Sequence, residues 1–259
     1  MSTELYLDTA RLGRMCNGAR LAEQDFGRLV GRLGSSLYLE RFLADGFRSL
    51  PNSIKRGVPR LGCWQGVAGF RRGLAEFIHQ PLDCPTYFFG QSSSLIRFAA
   101  RCLYRNASRV LTTDLAWPAY ADAPKTIANE QGKSLHVVPF QKWIFANRVT
   151  VCDIVQRFKR AYQRYDCDGL FLSDISYLGI RLPVVEIMRA IGSHTNFSVI
   201  DGAQALNQRP IELSRLGCDP YLAGTQKWLC SYHPLRIAVV GRRASAAAIK
   251  DVARARRHA

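Results

Sequence analysis

The sequence lacks the features of a membrane or secreted protein. No stretch approaches the roughly 20 consecutive apolar residues that a transmembrane helix needs. Residues 1–11 mix polar, acidic and apolar side chains and do not form the apolar block of a signal peptide. We therefore expect a cytosolic protein that does not have a membrane as its partner.

The eight cysteines lack the spacing of a zinc site or of a disulfide framework. They stand at positions 16, 63, 84, 102, 152, 167, 218 and 230, without a CxxC pair and without a histidine at zinc-ligand spacing. We predict free, mostly buried thiols and no metal site.

Acidic residues are scarce relative to basic ones. The sequence has 20 Asp and Glu against 36 Lys and Arg, a formal net charge of +16, and such a balance is typical of proteins that bind nucleic acids. The basic residues are dispersed, however. Those between 151 and 165 fall at helical spacing, and those of the C-terminal tail have no interleaved aromatic residues for base stacking. A nucleic-acid partner is therefore the hypothesis that we rank last.

Short apolar runs alternate with helical segments from residue 87 onward. Several runs are apolar on successive residues, which is typical of strands buried on both faces. The predicted strands are 87–89, 110–112, 135–140, 170–172, 198–200, 221–223 and 237–240, and the predicted helices between them include 93–104, 118–131, 154–165 and 184–191. The alternation predicts a layered α/β sandwich.

The chain is predicted to have three segments. Residues 1–80 are predicted to be mostly helical, with amphipathic stretches at 40–47 and 66–78. Residues 81–245 contain the alternating strands and helices, and residues 246–259 form a short basic tail. We find no internal repeat and no low-complexity block.

Two charged residues follow predicted strands, where α/β sheets bind their ligands. Asp201 directly follows the predicted strand at 198–200, and Lys227 comes shortly after the predicted strand at 221–223. Taken singly, such an Asp is usually a turn residue and such a Lys a surface residue. Together they match the needs of an imine-forming cofactor, because a lysine supplies the amine and a carboxylate keeps a pyridine nitrogen protonated.

Two further loops follow predicted strands. Residues 90–94 read Gly-Gln-Ser-Ser-Ser at the mouth of a helix, where hydroxyl and backbone N–H groups can hold a phosphate. By itself, this loop indicates only a serine N-cap. Residues 112–118 contain Trp117, whose indole can lie flat on a pyridine ring, although an isolated tryptophan is more often a core residue.

In this order and spacing, the four motifs resemble those of the class V aminotransferase group of fold-type I enzymes, which depend on pyridoxal 5'-phosphate (PLP). The group includes cysteine desulfurases, kynureninases and isopenicillin N epimerase-like proteins. The resemblance covers about residues 87–241 and is most specific over 200–229. It implies the PLP-binding large domain of that fold, a three-layer sandwich around a mostly parallel sheet of about seven strands, with the C-terminal small domain missing.

The resemblance also implies roles for individual residues. Lys227 is expected to form the Schiff base with PLP, Asp201 to contact the pyridine nitrogen, and Gln204 to donate toward the phenolic oxygen of the ring. The other cofactor contacts that it implies are Ser92, Ser93 and Gln226 at the phosphate, Trp117 over the ring and Ser176 beside the cofactor.

The sequence departs from the pattern of the family after Lys227. Only 32 residues follow this lysine, whereas relatives continue with a small domain that usually contributes an arginine for the substrate carboxylate. The loop at 229–234 also lacks the glycines that relatives usually have there. Trp117 stands where desulfurases carry a histidine, and an indole cannot exchange protons as that histidine does, which argues against desulfuration.

Two hypotheses rank above nucleic-acid binding. The leading one is a PLP-dependent enzyme, an aminotransferase or a lyase/epimerase-like protein, that acts on a small amino acid as a homodimer. The alternative is a truncated, non-catalytic PLP-binding domain.

Overall fold

A computed structural model describes residues 6–34, 37–81, 83–231 and 235–255. Its contacts divide the chain into two compact units. The first contains Met1–His79 and Thr225–His233, and the second contains Gln80–Gly224 and Pro234–Ala259. The segment that carries Lys227 therefore belongs, by its contacts, to the first unit. Part of the loop at 229–234 and the last four residues of the predicted basic tail lie outside the described residues.

The first unit contains a small helical core. Its helices are α1 (Asn17–Leu33), α2 (Leu37–Asp45), α3 (Asn52–Lys55) and α4 (Gly66–Phe77). Apolar side chains of α1, α2 and the segments between the helices meet in one cluster of buried residues, namely Leu29, Phe42, Leu50, Val58 and Leu61. Asp25 of α1 is fully buried and lies 2.9 Å from Arg28 and 3.6 Å from Arg60. These ion pairs satisfy the buried carboxylate and tie α1 to the segment before α4.

The second unit contains a sheet of seven strands in the described residues. The strands are β1 (Thr86–Phe89), β2 (Arg109–Thr113), β3 (Ser134–Val138), β4 (Gly169–Ser173), β5 (Phe197–Asp201), β6 (Pro220–Gly224) and β7 (Arg236–Val240), in the spatial order β1-β7-β6-β5-β4-β2-β3. β7 is antiparallel to both of its neighbours, and the other paired strands are parallel. The predicted mostly parallel sheet of about seven strands is confirmed.

Helices cover the sheet of the second unit. They are α5 (Ser92–Asn106), α6 (Pro118–Glu130), α7 (Gln141–Ala146), α8 (Val151–Arg164), α9 (Val184–Ile191), α10 (Leu213–Leu216) and α11 (Ala246–Ala255). Buried side chains of α5 share a core with Phe171, Val199 and Leu222 of the central strands. Their chain neighbours Leu172 and Ile200 are also buried, and neighbouring strand residues point to opposite faces. Both faces of the sheet are therefore covered, as the predicted three-layer α/β sandwich requires.

The ends of the strands meet at one edge of the sheet. Six strands run in the same direction, and five of them, β1, β2, β4, β5 and β6, end at Phe89, Thr113, Ser173, Asp201 and Gly224. Since β7 runs in the opposite direction, its first residue, Arg236, pairs with both Phe89 and Gly224. This edge, which we call the carboxyl edge, is where open α/β sheets bind their ligands.

The cysteines are all free, but they are less buried than the sequence predicted. Three are buried (Cys102, Cys167 and Cys218), two are half-buried (Cys84 and Cys230), and three are exposed (Cys16, Cys63 and Cys152). The prediction of mostly buried thiols is wrong because three cysteines lie on exposed helix surfaces or loops. Within the described ranges, no helix has the length and apolar character needed to cross a bilayer.

Candidate functional site

Asp201 is the last residue of β5 and is held firmly at the carboxyl edge. Its backbone carbonyl accepts a hydrogen bond from the N–H of Asp174 at 2.8 Å, and its carboxylate Oδ1 accepts one from the N–H of Ala203 at 3.0 Å. The residue is 7% exposed. Gly202 follows because a Cβ at that position would lie 1.9 Å from the ring of Tyr221. The predicted strand-end carboxylate is thus nearly buried and fixed in place.

A buried polar network lies next to Asp201. Both carboxylate oxygens of Asp174 accept hydrogen bonds from Nη2 of Arg209, at 2.6 and 2.5 Å, and Tyr221 donates to Asp174 at 3.2 Å. Burial, together with the charge of Asp174, raises the pKa of Tyr221 well above its ordinary value, so its hydroxyl remains a donor. This network fixes the backbone that binds the carbonyl of Asp201, and no local pattern of the sequence indicates it.

Ser92, the first residue of α5, contacts two residues that the sequence did not single out. Its Oγ accepts a hydrogen bond from Nε of Arg236 at 2.7 Å, and Ser92 is close enough to Tyr120 to lower the pKa of that phenol. Ser93, the next residue, is exposed at the same helix terminus. The first turn of α5 contains no acidic residue. The predicted phosphate loop is thus the N-terminus of a long helix, next to an arginine and a tyrosine.

The electrostatics of this cluster favour an anion. Burial raises the pKa of Tyr120, as does the charge of Asp201, while Ser92 and Arg236 oppose the rise. Burial lowers the pKa of Arg236 from a high ordinary value, and an arginine stays charged at neutral pH. The cluster therefore presents a protonated phenol and a guanidinium near Asp201, whose charge contributes to the pKa of Tyr120.

Trp117, Ser176 and Gln204 also lie in loops after strands. Trp117 precedes α6 with 51% of its surface exposed, and its indole contacts the ring of Tyr177 edge to face at a centroid distance of 5.7 Å. Ser176 is buried, and its hydroxyl accepts hydrogen bonds from the backbone N–H groups of residues 178 and 180. Gln204 is half-buried in the turn after Asp201. Their contact with a cofactor stays a prediction.

Lys227 lies in a segment that pairs with the N-terminal part of the first unit. The carbonyl of Gln226 accepts a hydrogen bond from the N–H of Gly13 at 2.7 Å, and the carbonyl of Cys230 accepts one from the N–H of Cys16 at 3.1 Å. The N-terminal residues therefore hold the backbone on both sides of Lys227. The sequence left open whether the N-terminal residues approach the predicted site.

Close packing at Gly13 shows how tightly this pairing is made. A Cβ at Gly13 would lie 1.9 Å from the carbonyl oxygen of Lys227, so only glycine fits there without displacing the lysine backbone. Gln226 is 8% exposed, and its side-chain Oε1 is buried without a hydrogen-bond partner among the described residues. Such an orphaned polar atom costs free energy unless a ligand or a water satisfies it.

The predicted site residues are thus distributed over both units. In the second unit, Asp201, Ser92 and Arg236 all influence the pKa of Tyr120, and Ser92 accepts a hydrogen bond from Arg236. Lys227 and Gln226 belong to the first unit, and their placement relative to Asp201 stays a prediction.

Comparison with known proteins identifies the family. The family model of Aminotransferase class-V matches residues 47–240. No curated protein sequence matches the chain. The match to the family model includes the carboxyl edge, the cluster around Ser92 and the segment that carries Lys227.

Solved structures share the fold at low sequence identity. A complex of the cystine C-S lyase C-DES with cysteine persulfide has a TM-score of 0.67 and 16% identity, over 95% of this chain and 59% of that one. A variant of that lyase with glycine covalently linked to its PLP cofactor has a TM-score of 0.63 and 16% identity, over 92% and 57%. The cysteine desulfurase CsdA from Escherichia coli has a TM-score of 0.65 and 18% identity, over 91% and 53%.

The solved structures and the family model agree on the kind of protein. They differ in how much of each matched protein is covered. The chain spans less than two thirds of the length of each of these structures. The family match, in contrast, covers most of the chain itself. The mostly parallel, seven-stranded sheet belongs to the fold that this chain shares with these proteins. The chain belongs to the class V aminotransferase family.

Proposed function

We propose that this chain forms the cofactor-binding part of a PLP-dependent enzyme that acts on a small amino acid, as an aminotransferase or as a lyase/epimerase-like enzyme. The observation that carries the proposal is the pairing of a nearly buried carboxylate, Asp201, with the anion-favouring cluster of Ser92, Tyr120 and Arg236. These are the two kinds of group that PLP needs, a partner for its pyridine nitrogen and a holder for its phosphate.

The residues present fit PLP, the cofactor that membership of the family implies. Arg236 has a buried Nη1 without a hydrogen-bond partner in the described part of the chain, which a phosphate oxygen can satisfy. Ser92 and Ser93 add hydroxyls and backbone N–H groups at the terminus of α5. Asp201 supplies the only kind of side chain, a carboxylate, that both accepts from a pyridine N–H and compensates its charge.

Bound at this edge, PLP supplies an electron sink for the negative charge that develops at the α-carbon of an amino acid. Lys227 is the residue proposed to carry the cofactor covalently through its amine. The amine of Lys227, when it is not bonded to the cofactor, would act as the general base at the α-carbon. Asp201 would keep the ring nitrogen protonated, and Trp117 would cover one face of the ring. Gln204, Gln226 and Ser176 are proposed as further cofactor contacts.

The choice of reaction depends on groups that act on the substrate side. Trp117 has no side-chain group that exchanges protons as a histidine does, so we propose transamination, elimination or epimerisation in preference to desulfuration. The substrate carboxylate needs a bidentate cation such as an arginine. We propose that the protein works as a cytosolic homodimer, because the sites of fold-type I enzymes lie at shared interfaces.

Spectroscopy with a panel of amino acids tests this proposal. The purified protein is incubated with PLP, its visible spectrum is recorded during additions of small amino acids, and the products are analysed for 2-oxo acids, ammonia and inverted amino acids. We expect at least one amino acid to change the spectrum of the parent protein and of Lys250→Ala, an exposed lysine on α11, but not that of Lys227→Ala. A parent protein that binds PLP yet responds to no amino acid would contradict the catalytic proposal and leave PLP binding alone.

A further inference from the structure

Arg236 occupies a central position on the carboxyl edge. It opens β7 and pairs with Phe89, after which the chain enters the phosphate loop, and with Gly224, the last residue of β6. The backbone of Arg236 is thus fixed by strands on both sides. Its side chain is half-buried and reaches the first residue of α5.

The hydrogen bonds of Arg236 leave part of its guanidinium unsatisfied. Nε donates to Oγ of Ser92 at 2.7 Å, while Nη1 is buried and has no partner among the described residues. None of the ion pairs in the described part of the chain includes Arg236. A buried donor on a cation is costly to leave unpaired. The site therefore favours an anion at Nη1.

Two neighbouring arginines, Arg242 and Arg243, provide a comparison because each forms an ion pair within the protein. Arg242, which follows β7, lies 3.6 Å from the buried carboxylate of Asp219, and Arg243 donates to Asp83 at 3.1 Å. Both arginines thus have a carboxylate partner within the protein. Arg236 instead donates to the hydroxyl of Ser92 and influences the pKa of Tyr120.

The groups around Arg236 suit a phosphate in particular. The N-terminus of α5, which has no acidic residue in its first turn, directs backbone N–H groups toward an anion. Tyr120 adds a phenol that burial keeps protonated. The planar guanidinium matches two oxygens of one phosphate, which a single ammonium does not.

We infer that Arg236 binds the phosphate of the cofactor and sets the preference of this chain for PLP over pyridoxal, which lacks the phosphate. The inference rests on the proposed function and adds to it a residue that the sequence did not identify. All three residues of the proposed phosphate site, Ser92, Tyr120 and Arg236, lie in the second unit.

Binding measurements with two forms of the cofactor test this inference without using activity. The parent, Arg236→Gln, Arg236→Lys and, as a matched control, Arg243→Gln are titrated with PLP and with pyridoxal, followed by absorbance. We expect Arg236→Gln to bind PLP about 10- to 100-fold more weakly than the parent, with pyridoxal affinity unchanged. We expect Arg236→Lys to lose part of the preference and Arg243→Gln to lose none.

Inorganic phosphate provides a second readout on the protein without cofactor. We expect phosphate to raise the unfolding temperature of the parent and of Arg243→Gln, but not that of Arg236→Gln. An unchanged ratio of PLP to pyridoxal affinity in Arg236→Gln, with the same response to phosphate as the parent, would overturn the inference while leaving the proposed function intact. A parent that binds neither PLP nor pyridoxal would overturn both.

Discussion

Nε of Arg236 lies 2.7 Å from Oγ of Ser92, although 144 positions separate the two residues in the sequence. The contact exists because β7 inserts between β1 and β6 and runs against both, which brings the start of β7 to the end of β1. One hydrogen bond thus joins the loop after the first strand to the start of the last strand. The carboxyl edge gains a cationic group that the parallel strands alone do not provide.

Replacing Asp201 by asparagine is expected to impair chemistry more than cofactor binding. Asparagine can still accept the hydrogen bond from the N–H of Ala203, but it cannot compensate a protonated pyridine nitrogen. We expect the amino-acid-dependent spectral change to slow by roughly 10- to 100-fold, the equivalent of one charge-assisted hydrogen bond. Stopped-flow absorbance measures this rate. Asp251→Asn, which changes an exposed aspartate, is the control. An unchanged rate in Asp201→Asn would remove Asp201 from the proposed site.

Substituting alanine for Gly13 is expected to displace the backbone at Lys227. The added Cβ would lie 1.9 Å from the carbonyl oxygen of Lys227, and such overpacking typically costs about 1–3 kcal/mol. We expect a lower unfolding temperature and weaker attachment of PLP. Gly18→Ala, in α1, is the control because no atom lies within 4 Å of its added Cβ. Equal behaviour of the two variants would contradict the close pairing of Gly13 with Gln226 and Lys227.

Removing the guanidinium of Arg209 is expected to destabilise the second unit strongly. Arg209→Leu leaves the fully buried carboxylate of Asp174 without its cation, a loss that typically costs about 3–5 kcal/mol. Arg215→Leu breaks an exposed ion pair with Glu212, and we expect almost no change in stability because water and salt screen such a pair. Urea unfolding compares the two variants. Similar unfolding midpoints would show that the network around Asp174 contributes little stability.

Thiol labelling is expected to separate the cysteines by burial. Burial raises the pKa of Cys102 and of Cys167 to about 12, and the thiolate is the reactive form. At pH 8 we therefore expect a maleimide to modify the exposed Cys16, Cys63 and Cys152 and to spare Cys102 and Cys167 until the protein unfolds. Peptide mass spectrometry identifies the labelled sites. Rapid labelling of Cys102 in the native protein would contradict the packing of α5.

Much of the second unit could be predicted because its central strands are buried on both faces. Each of the seven apolar runs overlaps a strand, and the run at 170–172 lies inside β4. The strand predicted at 135–140 is too long, because β3 ends at Val138 and the buried Phe140 precedes α7. A continuous apolar run does not show where a strand gives way to a buried turn.

The candidate site was only partly visible in the sequence. Asp201, Lys227 and Ser92 each stand next to a strand or a helix terminus, so local pattern identifies them. Arg236 and Gly13 carry no such signal, because their roles arise from a strand order and a backbone pairing that join distant segments. Judged from its neighbours alone, an arginine at the start of an apolar run indicates only a charged residue at the end of a strand. A single glycine near the N-terminus likewise indicates only a loop.

Trapping the cofactor on the protein tests the proposed function most directly. Parent protein and Lys227→Ala are incubated with PLP, reduced with borohydride, digested and mapped by mass spectrometry. We predict a yellow parent protein that, once reduced, carries one pyridoxyl group on the peptide containing Lys227, while Lys227→Ala carries none at a comparable level. A parent that stays colourless and unmodified, or one modified equally at exposed lysines in both proteins, would contradict the proposal that this chain holds PLP on Lys227.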